Sequence, residues 1–347
     1  MPAPTPTPLP FPLPTNLPPL ETLYFPTPNP NPAQPYILFI PGNPGLVGYY
    51  VAYLSALSAL AKLPILALSH SGFCPGQACA KPTPPGYWGL RDQVRHKAEI
   101  IRWLAEEKGW DKVLLMGHSV GGYVFMEVIR ELGGEGEKVE VVGGVGLFPT
   151  IVDIGKSPSG RLLTSILSYV PPLPSIAATA ARALTLLPAP VLDTILKAVT
   201  RQPPSAASVT GTFLTAPGMV FQALELAREE VETITEDAWG EEIWGCDDTP
   251  LVFYFGRNVT TSRSLHEGGT DADSIQDHWV AEETREKLLE ARGTGVRMVV
   301  CEDGLPHGFC ISHGEIMAEK AAAWVNEMAA KGNPGGSLGE GPHRTGP

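Results

Sequence analysis

Residues Val113 to Met116 form a short apolar run that passes directly into Gly117-His118-Ser119-Val120-Gly121, and a helical period takes over from Val120 to Leu132. No other stretch restricts the fold so strongly. A strand that turns into a helix with no linking loop needs small flanking residues, and the glycines on either side of the serine meet that need. The serine hydroxyl is then left standing exposed above the sheet. A strand that feeds a helix in this way is half of a parallel βαβ unit.

The alternation continues on both sides of that junction. Short apolar runs lie at Tyr36–Ile40, Ile65–Leu68, Val139–Leu147, Leu251–Phe255 and Val296–Cys301. Helical periods lie at Tyr49–Lys62, Tyr87–Lys108, Trp279–Ala291 and Gly314–Ala330. Runs apolar at every position predict strands buried on both faces, hence a mostly parallel central sheet with helices on either side. Residues 1–34 are Pro-rich, and proline neither donates to a ladder nor continues a helix. They are expected to form an extended arm, with Thr22 to Phe25 adding an edge strand. Residues 35–331 form the main domain with a cap inserted at about 150–245, and the Gly- and Pro-rich residues 332–347 are expected to be disordered.

The insertion breaks the alternation. Arg161–Val170, Ile176–Leu187 and Val191–Thr200 are strongly apolar, with few charges beyond Arg161, Arg182, Asp193 and Lys197. A helical cap with its apolar face buried on the domain accounts for this. A cap that also dips into a lipid surface accounts for it equally, and the two are compatible. The net charge is −12 with no concentrated basic patch, which excludes nucleic acid as a partner and leaves apolar area as the means of any membrane contact. No stretch reaches the roughly 18 uninterrupted apolar residues of a bilayer span. The cysteines, Cys74, Cys79, Cys246, Cys301 and Cys310, are odd in number, and the N-terminus lacks a basic n-region, so a reduced intracellular setting is expected. Cys74 and Cys79 have no partner pair at zinc spacing, and no metal or cofactor is expected.

Ser119 is the candidate nucleophile, and the backbone N–H of Val120, at the helix start, is a candidate oxyanion donor. A second donor is expected from the turn after Tyr36–Ile40. Pro41-Gly42-Asn43-Pro44-Gly45 stands there, and the N–H of Asn43 is the candidate, because Pro44 has none. The base is expected on the loop after the last strand, where Leu305-Pro306-His307-Gly308-Phe309 offers His307. His313 is the competitor, placed where the last helix begins. An imidazole there takes the serine proton and returns it to the leaving group. The acid is expected after Leu251–Phe255. Asp277 is the choice, with Asp271, Asp273, Asp153 and Asp303 as alternatives. The chain order serine, acid, histidine fits an α/β-hydrolase fold with an apolar helical cap.

Four pieces together resemble the lipid droplet-associated hydrolases, a branch of the α/β-hydrolases. They are Ile40 to Gly45, Gly117 to Gly122, Leu147 to Ile151 with Ser157 to Gly160, and Pro306 to Phe309. The resemblance spans about residues 36 to 330. It implies a serine esterase or lipase acting on lipid esters, residence on lipid droplets with an endoplasmic reticulum or cytosolic pool, and a role in neutral lipid storage or turnover. It also implies that the apolar cap docks on the droplet. Other readings stand beside it: a droplet-binding scaffold that keeps the fold without strong activity, and a hydrolase of soluble esters or thioesters.

The chain departs from the family pattern once. Family members pass almost directly from a Phe-Gly-x-Asn turn into Asp-His-Trp. Here Phe255-Gly256-Arg257-Asn258 and Asp277-His278-Trp279 are separated by 18 polar residues, Val259 to Gln276. Valine codons begin GT, a glutamine codon can end AG, and 18 codons keep the frame, so the segment reads as a retained intron. Transcript sequencing is expected to find a main message without it. A main message carrying all 18 codons rules the reading out and makes the segment a surface loop beside the site, with the place of Asp277 open.

Overall fold

The computed structural model describes residues 4–27, 31, 33–75, 86–134, 136–244, 249–257, 279–290 and 295–331. The strands are β1 (Thr22–Phe25), β2 (Tyr36–Ile40), β3 (Ile65–Leu68), β4 (Lys112–His118), β5 (Glu140–Leu147), β6 (Leu251–Phe255) and β7 (Val296–Val300). They form one sheet in the order β1-β3-β2-β4-β5-β6-β7, parallel throughout except for β1, which pairs antiparallel with β3 at the edge. Every residue of β2, β3 and β6 is buried, as strands covered on both faces require.

Two helical layers do the covering. On one face α1 (Val51–Ala61) and α11 (Gly314–Lys331) pack on Ile37, Phe39, Met116 and Tyr254. On the other, α2 (Leu90–Lys108) and α3 (Val120–Leu132) pack on Leu38, Leu66, Leu115 and Phe253. α2 starts at Leu90, later than the helical period predicts, because Gly89 is extended and donates its N–H to the Asp92 carboxylate at 3.2 Å. The Pro-rich arm also joins this second layer. Leu9, Phe11 and Leu13 alternate with prolines and turn inward, so that Phe11 lies 5.6 Å from both Trp103 and Trp110. Proline forbids a helix there but leaves the intervening side chains free to bury.

Between β5 and β6 come α4 (Pro158–Tyr169), α5 (Leu173–Leu184), α6 (Ala189–Thr200), α7 (Pro204–Thr215), α8 (Met219–Thr233) and the single turn α9 (Glu241–Trp244). α10 (Glu282–Glu290) and α11 flank β7. Ser157 caps α4, accepting from the N–H of Gly160 at 2.9 Å, so that helix begins before Arg161, and α5 likewise begins before Ile176. α8 is the layer between this insertion and the domain. Its buried residues Met219, Gln222, Ala223, Leu226 and Glu230 recur at helical spacing and face Leu46, Phe73 and Val120. α4 and α6 instead turn apolar stripes outward: Leu162, Ile166 and Tyr169 on one, Val191, Ile195 and Val199 on the other. Tyr169 is 88% exposed, Leu186 84% and Val199 75%. Among the described residues no single helix is long and apolar enough to cross a membrane; α4 and α5 meet at a 93° bend.

One buried charge is unusual. Lys97 of α2 is fully buried and donates from Nζ to the Ser69 carbonyl at 2.7 Å. Burial lowers its pKa to about 7. In the unfolded chain lysine keeps its proton to about pH 10.4. Above the folded pKa the unfolded state therefore binds more protons, and stability rises with pH. Between pH 8 and 9, urea unfolding is expected to show this rise at roughly 1 kcal/mol per pH unit. Lys97→Met is expected to be more stable at pH 8 and to lose most of that slope. An unchanged slope would mean that the folded Lys97 keeps its proton.

Candidate active site

Ser119 occupies the turn between β4 and α3 with φ 55° and ψ −125°, a conformation unfavourable for any residue with a side chain. The elbow is held by three backbone bonds: Ser119 N–H to the Leu147 carbonyl at 3.0 Å, and the N–H groups of Gly122 and Thr150 to the Ser119 carbonyl at 2.8 and 3.2 Å. The flanking glycines are needed for close approach. A Cβ on Gly121 would stand 2.3 Å from the Ile40 carbonyl oxygen. A Cβ on Gly42 would stand 2.9 Å from that of Ser119, so the Gly42-Asn43 backbone passes directly beside the serine. Among the described residues the N–H groups of Asn43 and Val120 have no hydrogen-bond partner.

Ser119, His307 and Asn43 line one cavity of about 440 Å³, within the usual range of about 300–1,000 Å³ for small-molecule sites. Its apolar wall comes from Leu163 of α4, Leu224, Ala227 and Val231 of α8, and Trp279. His313 does not line it; that residue accepts from the Met317 N–H at the start of α11. Two alternative acids are engaged elsewhere, Asp153 with Lys156 at 2.7 Å and Asp303 with Lys320 at 2.6 Å. Asp277, Asp271, Asp273 and the inserted segment 259–276 lie outside the described residues, as do Cys79, Cys246 and the tail 332–347. Among the described residues no group of His, Cys, Asp and Glu is arranged to hold a metal ion.

Sequence reasoning missed three further residues. Tyr50 sits at the start of α1, and its hydroxyl accepts from the Gly42 N–H at 3.1 Å and lies 2.7 Å from His118 Nδ1. The other ring nitrogen of His118, Nε2, lies 2.9 Å from the His307 carbonyl oxygen. Taken as one chain, Gly42 N–H donates to Tyr50, Tyr50 O–H to Nδ1, and Nε2–H to His307. Each group is satisfied when the imidazole is neutral, and burial, then the neighbouring His307, holds the His118 pKa well below the ordinary histidine value. The third residue is Glu230, buried in the cavity wall and accepting from Asn43 Nδ2 at 3.0 Å. A signal for it was present: an acidic residue on the otherwise inward-facing stripe of α8.

The strand order and the elbow at Ser119 define the α/β-hydrolase fold, and solved structures share it. A 2-hydroxy-6-oxo-6-phenylhexa-2,4-dienoate hydrolase from Rhodococcus sp. aligns with a TM-score of 0.55 at 17% identity, covering 87% of this chain and 92% of its own. The haloalkane dehalogenase DatA of Agrobacterium tumefaciens aligns with a TM-score of 0.59 at 14% identity, covering 89% and 93%. Within that fold the chain belongs to the lipid droplet-associated hydrolase family, whose family model matches residues 33–260. The lipid droplet-associated hydrolase of Rattus norvegicus is 27% identical over 311 residues, 85% of this chain and 86% of its own. The chain is thus a hydrolase of the α/β type.

Proposed function

We propose that this protein is a serine hydrolase of lipid carboxylic esters that works at the lipid droplet surface, in neutral lipid storage or turnover. The observation that carries the reading is Ser119 at positive φ in a cavity shared with His307 and Asn43. Strain of that kind is kept where a side chain must be presented to a substrate. Ser119 Oγ attacks the ester carbonyl carbon while His307 takes its proton. The N–H groups of Asn43 and Val120 donate to the oxyanion, and Asp277 holds the imidazole and stabilises its charged form. Collapse breaks the bond to the alcohol, which leaves with the proton from His307. Water, deprotonated by the same histidine, then releases the acid and frees Ser119. None of these steps calls for a metal or cofactor.

The relatives' name supports residence on lipid droplets, and an endoplasmic reticulum or cytosolic pool belongs to the same reading. The outward stripes of α4 and α6 are the docking surface, with no nucleic acid partner. One feature favours a second reading, a droplet-binding scaffold of little activity: the 18 inserted residues stand immediately before Asp277. Labelling of the wild type and Ser119→Ala with a fluorophosphonate, beside a panel of acyl esters of different chain length, separates the two. Labelling lost on substitution supports the esterase. Well-folded, lipid-supplied wild type that does not label supports the scaffold.

A further inference from the structure

We propose that Glu230 is a positioning residue that fixes the Gly42-Asn43 turn against Ser119 through the Asn43 carboxamide, and that the turn serves as an oxyanion site only while this carboxyl is uncharged. This rests on the esterase reading and concerns the same site. The Asn43 side chain donates both Nδ2 hydrogens to α8, one to the Ala223 carbonyl at 2.8 Å and one to Glu230 Oε1 at 3.0 Å. Its Oδ1 is buried and has no partner among the described residues, so those two acceptors alone decide how the carboxamide lies. A Cβ on the preceding Gly42 would stand 2.9 Å from that of Ser119, so the turn that carries the Asn43 N–H runs beside the serine. Glu230 therefore reaches the reacting centre through one side chain.

A carboxyl on an inward-facing apolar stripe is a poor choice for packing. It is 8% exposed, and burial, then the neighbouring Glu229, raise its pKa while the Asn43 bond lowers it, leaving it at about 8. Among the described residues the ionisable groups that share its cavity are Tyr49 and Tyr50, His118, His307 and Cys310. Arg161 of α4, Arg182 of α5, Lys156 beside α4, and Arg91 and Asp92 of α2 belong to elements packed on α8 but do not line the cavity; α7 carries no ionisable residue. Among the described residues no lysine or arginine lines the cavity to offset a charge on Glu230. A carboxylate a side chain's length from the developing oxyanion opposes it, by a factor on the order of tenfold.

The test compares Glu230→Gln, whose carbonyl oxygen can still accept from Asn43, with Glu230→Ala. Three readouts are taken: the fluorophosphonate reaction rate and kcat on a soluble short-chain ester from pH 6 to 10, and hydrogen exchange of the peptide spanning Pro41 to Tyr50. Wild type is expected to lose roughly tenfold in both rates above pH 8. Glu230→Gln is expected to hold its own pH 7 rate through pH 9.5. Glu230→Ala is expected to be roughly tenfold slower at every pH, in kcat more than KM, with faster exchange in the turn. A Gln profile that superimposes on wild type overturns the charge requirement. Equal exchange and equal kcat in Ala and Gln overturn the clamp. Wild type that reacts with neither probe nor ester overturns the esterase reading and the oxyanion role with it, and the exchange comparison still decides the clamp.

Discussion

Ser119→Ala is expected to lower kcat/KM for any ester this protein cleaves by roughly four orders of magnitude or more, with thermal stability unchanged. The size follows from the role: with no nucleophile, only binding and the oxyanion donors remain. The unchanged stability follows from the backbone. Ser119 holds φ 55° and ψ −125°, and alanine is as strained there as serine. Glycine is not, so Ser119→Gly is expected to be equally inactive yet more stable by roughly 1–3 kcal/mol, which calorimetry reads as a Tm several degrees higher. A strained position that glycine would relax, yet occupied by serine, is what the proposed role of the hydroxyl calls for. Ser119→Ala that keeps wild-type turnover would place the nucleophile elsewhere.

The second large effect concerns the outward apolar stripes. Leu162→Glu with Ile166→Glu on α4, and Val191→Glu with Ile195→Glu on α6, are each expected to cut droplet association at least tenfold. These side chains are 62%, 40%, 45% and 44% exposed, and in solution that area faces water. Burying a whole side chain of this kind in an apolar phase stabilises by roughly 1.5–3 kcal/mol, so two half-exposed ones contribute more than the roughly 1.4 kcal/mol that separates tenfold in affinity. A carboxylate in their place must also be desolvated. Flotation with triacylglycerol droplets coated in phospholipid measures the bound fraction. Hydrolysis of a short soluble ester is expected to stay within about twofold, because none of the four side chains lines the cavity. Undiminished flotation would remove α4 and α6 from the docking surface.

The elbow, the Asn43 turn and the histidine loop were legible because each is written locally. Glycines and prolines at fixed offsets after an apolar run force a particular backbone turn, whatever packs around it later. The strands were legible for a related reason: full burial leaves only apolar residues acceptable at every position. The seating of the Pro-rich arm was not, since Leu9, Phe11 and Leu13 find Trp103 and Trp110 some ninety residues away in the chain. The choice of His307 over His313 rests on its place in the loop after β7, with His313 expected where α11 begins; the cavity wall holds His307, and His313 lies at the base of α11.

The order of strands and helices, the sharp turn at Ser119 and the apolar character of the insertion could be read from the chain alone, since period and turn chemistry act over a few neighbouring residues. Which faces of α4 and α6 stay in water, that His118 bridges Tyr50 to the His307 carbonyl, and that Glu230 closes on Asn43 were settled by the folded arrangement. Those outcomes depend on contacts between residues 68, 187 and 189 positions apart, such as Tyr50 with His118, Asn43 with Glu230 and His118 with His307. A partner that distant leaves no periodic trace in the chain, because the folded sheet and its helices, not the local backbone, bring the two side chains together.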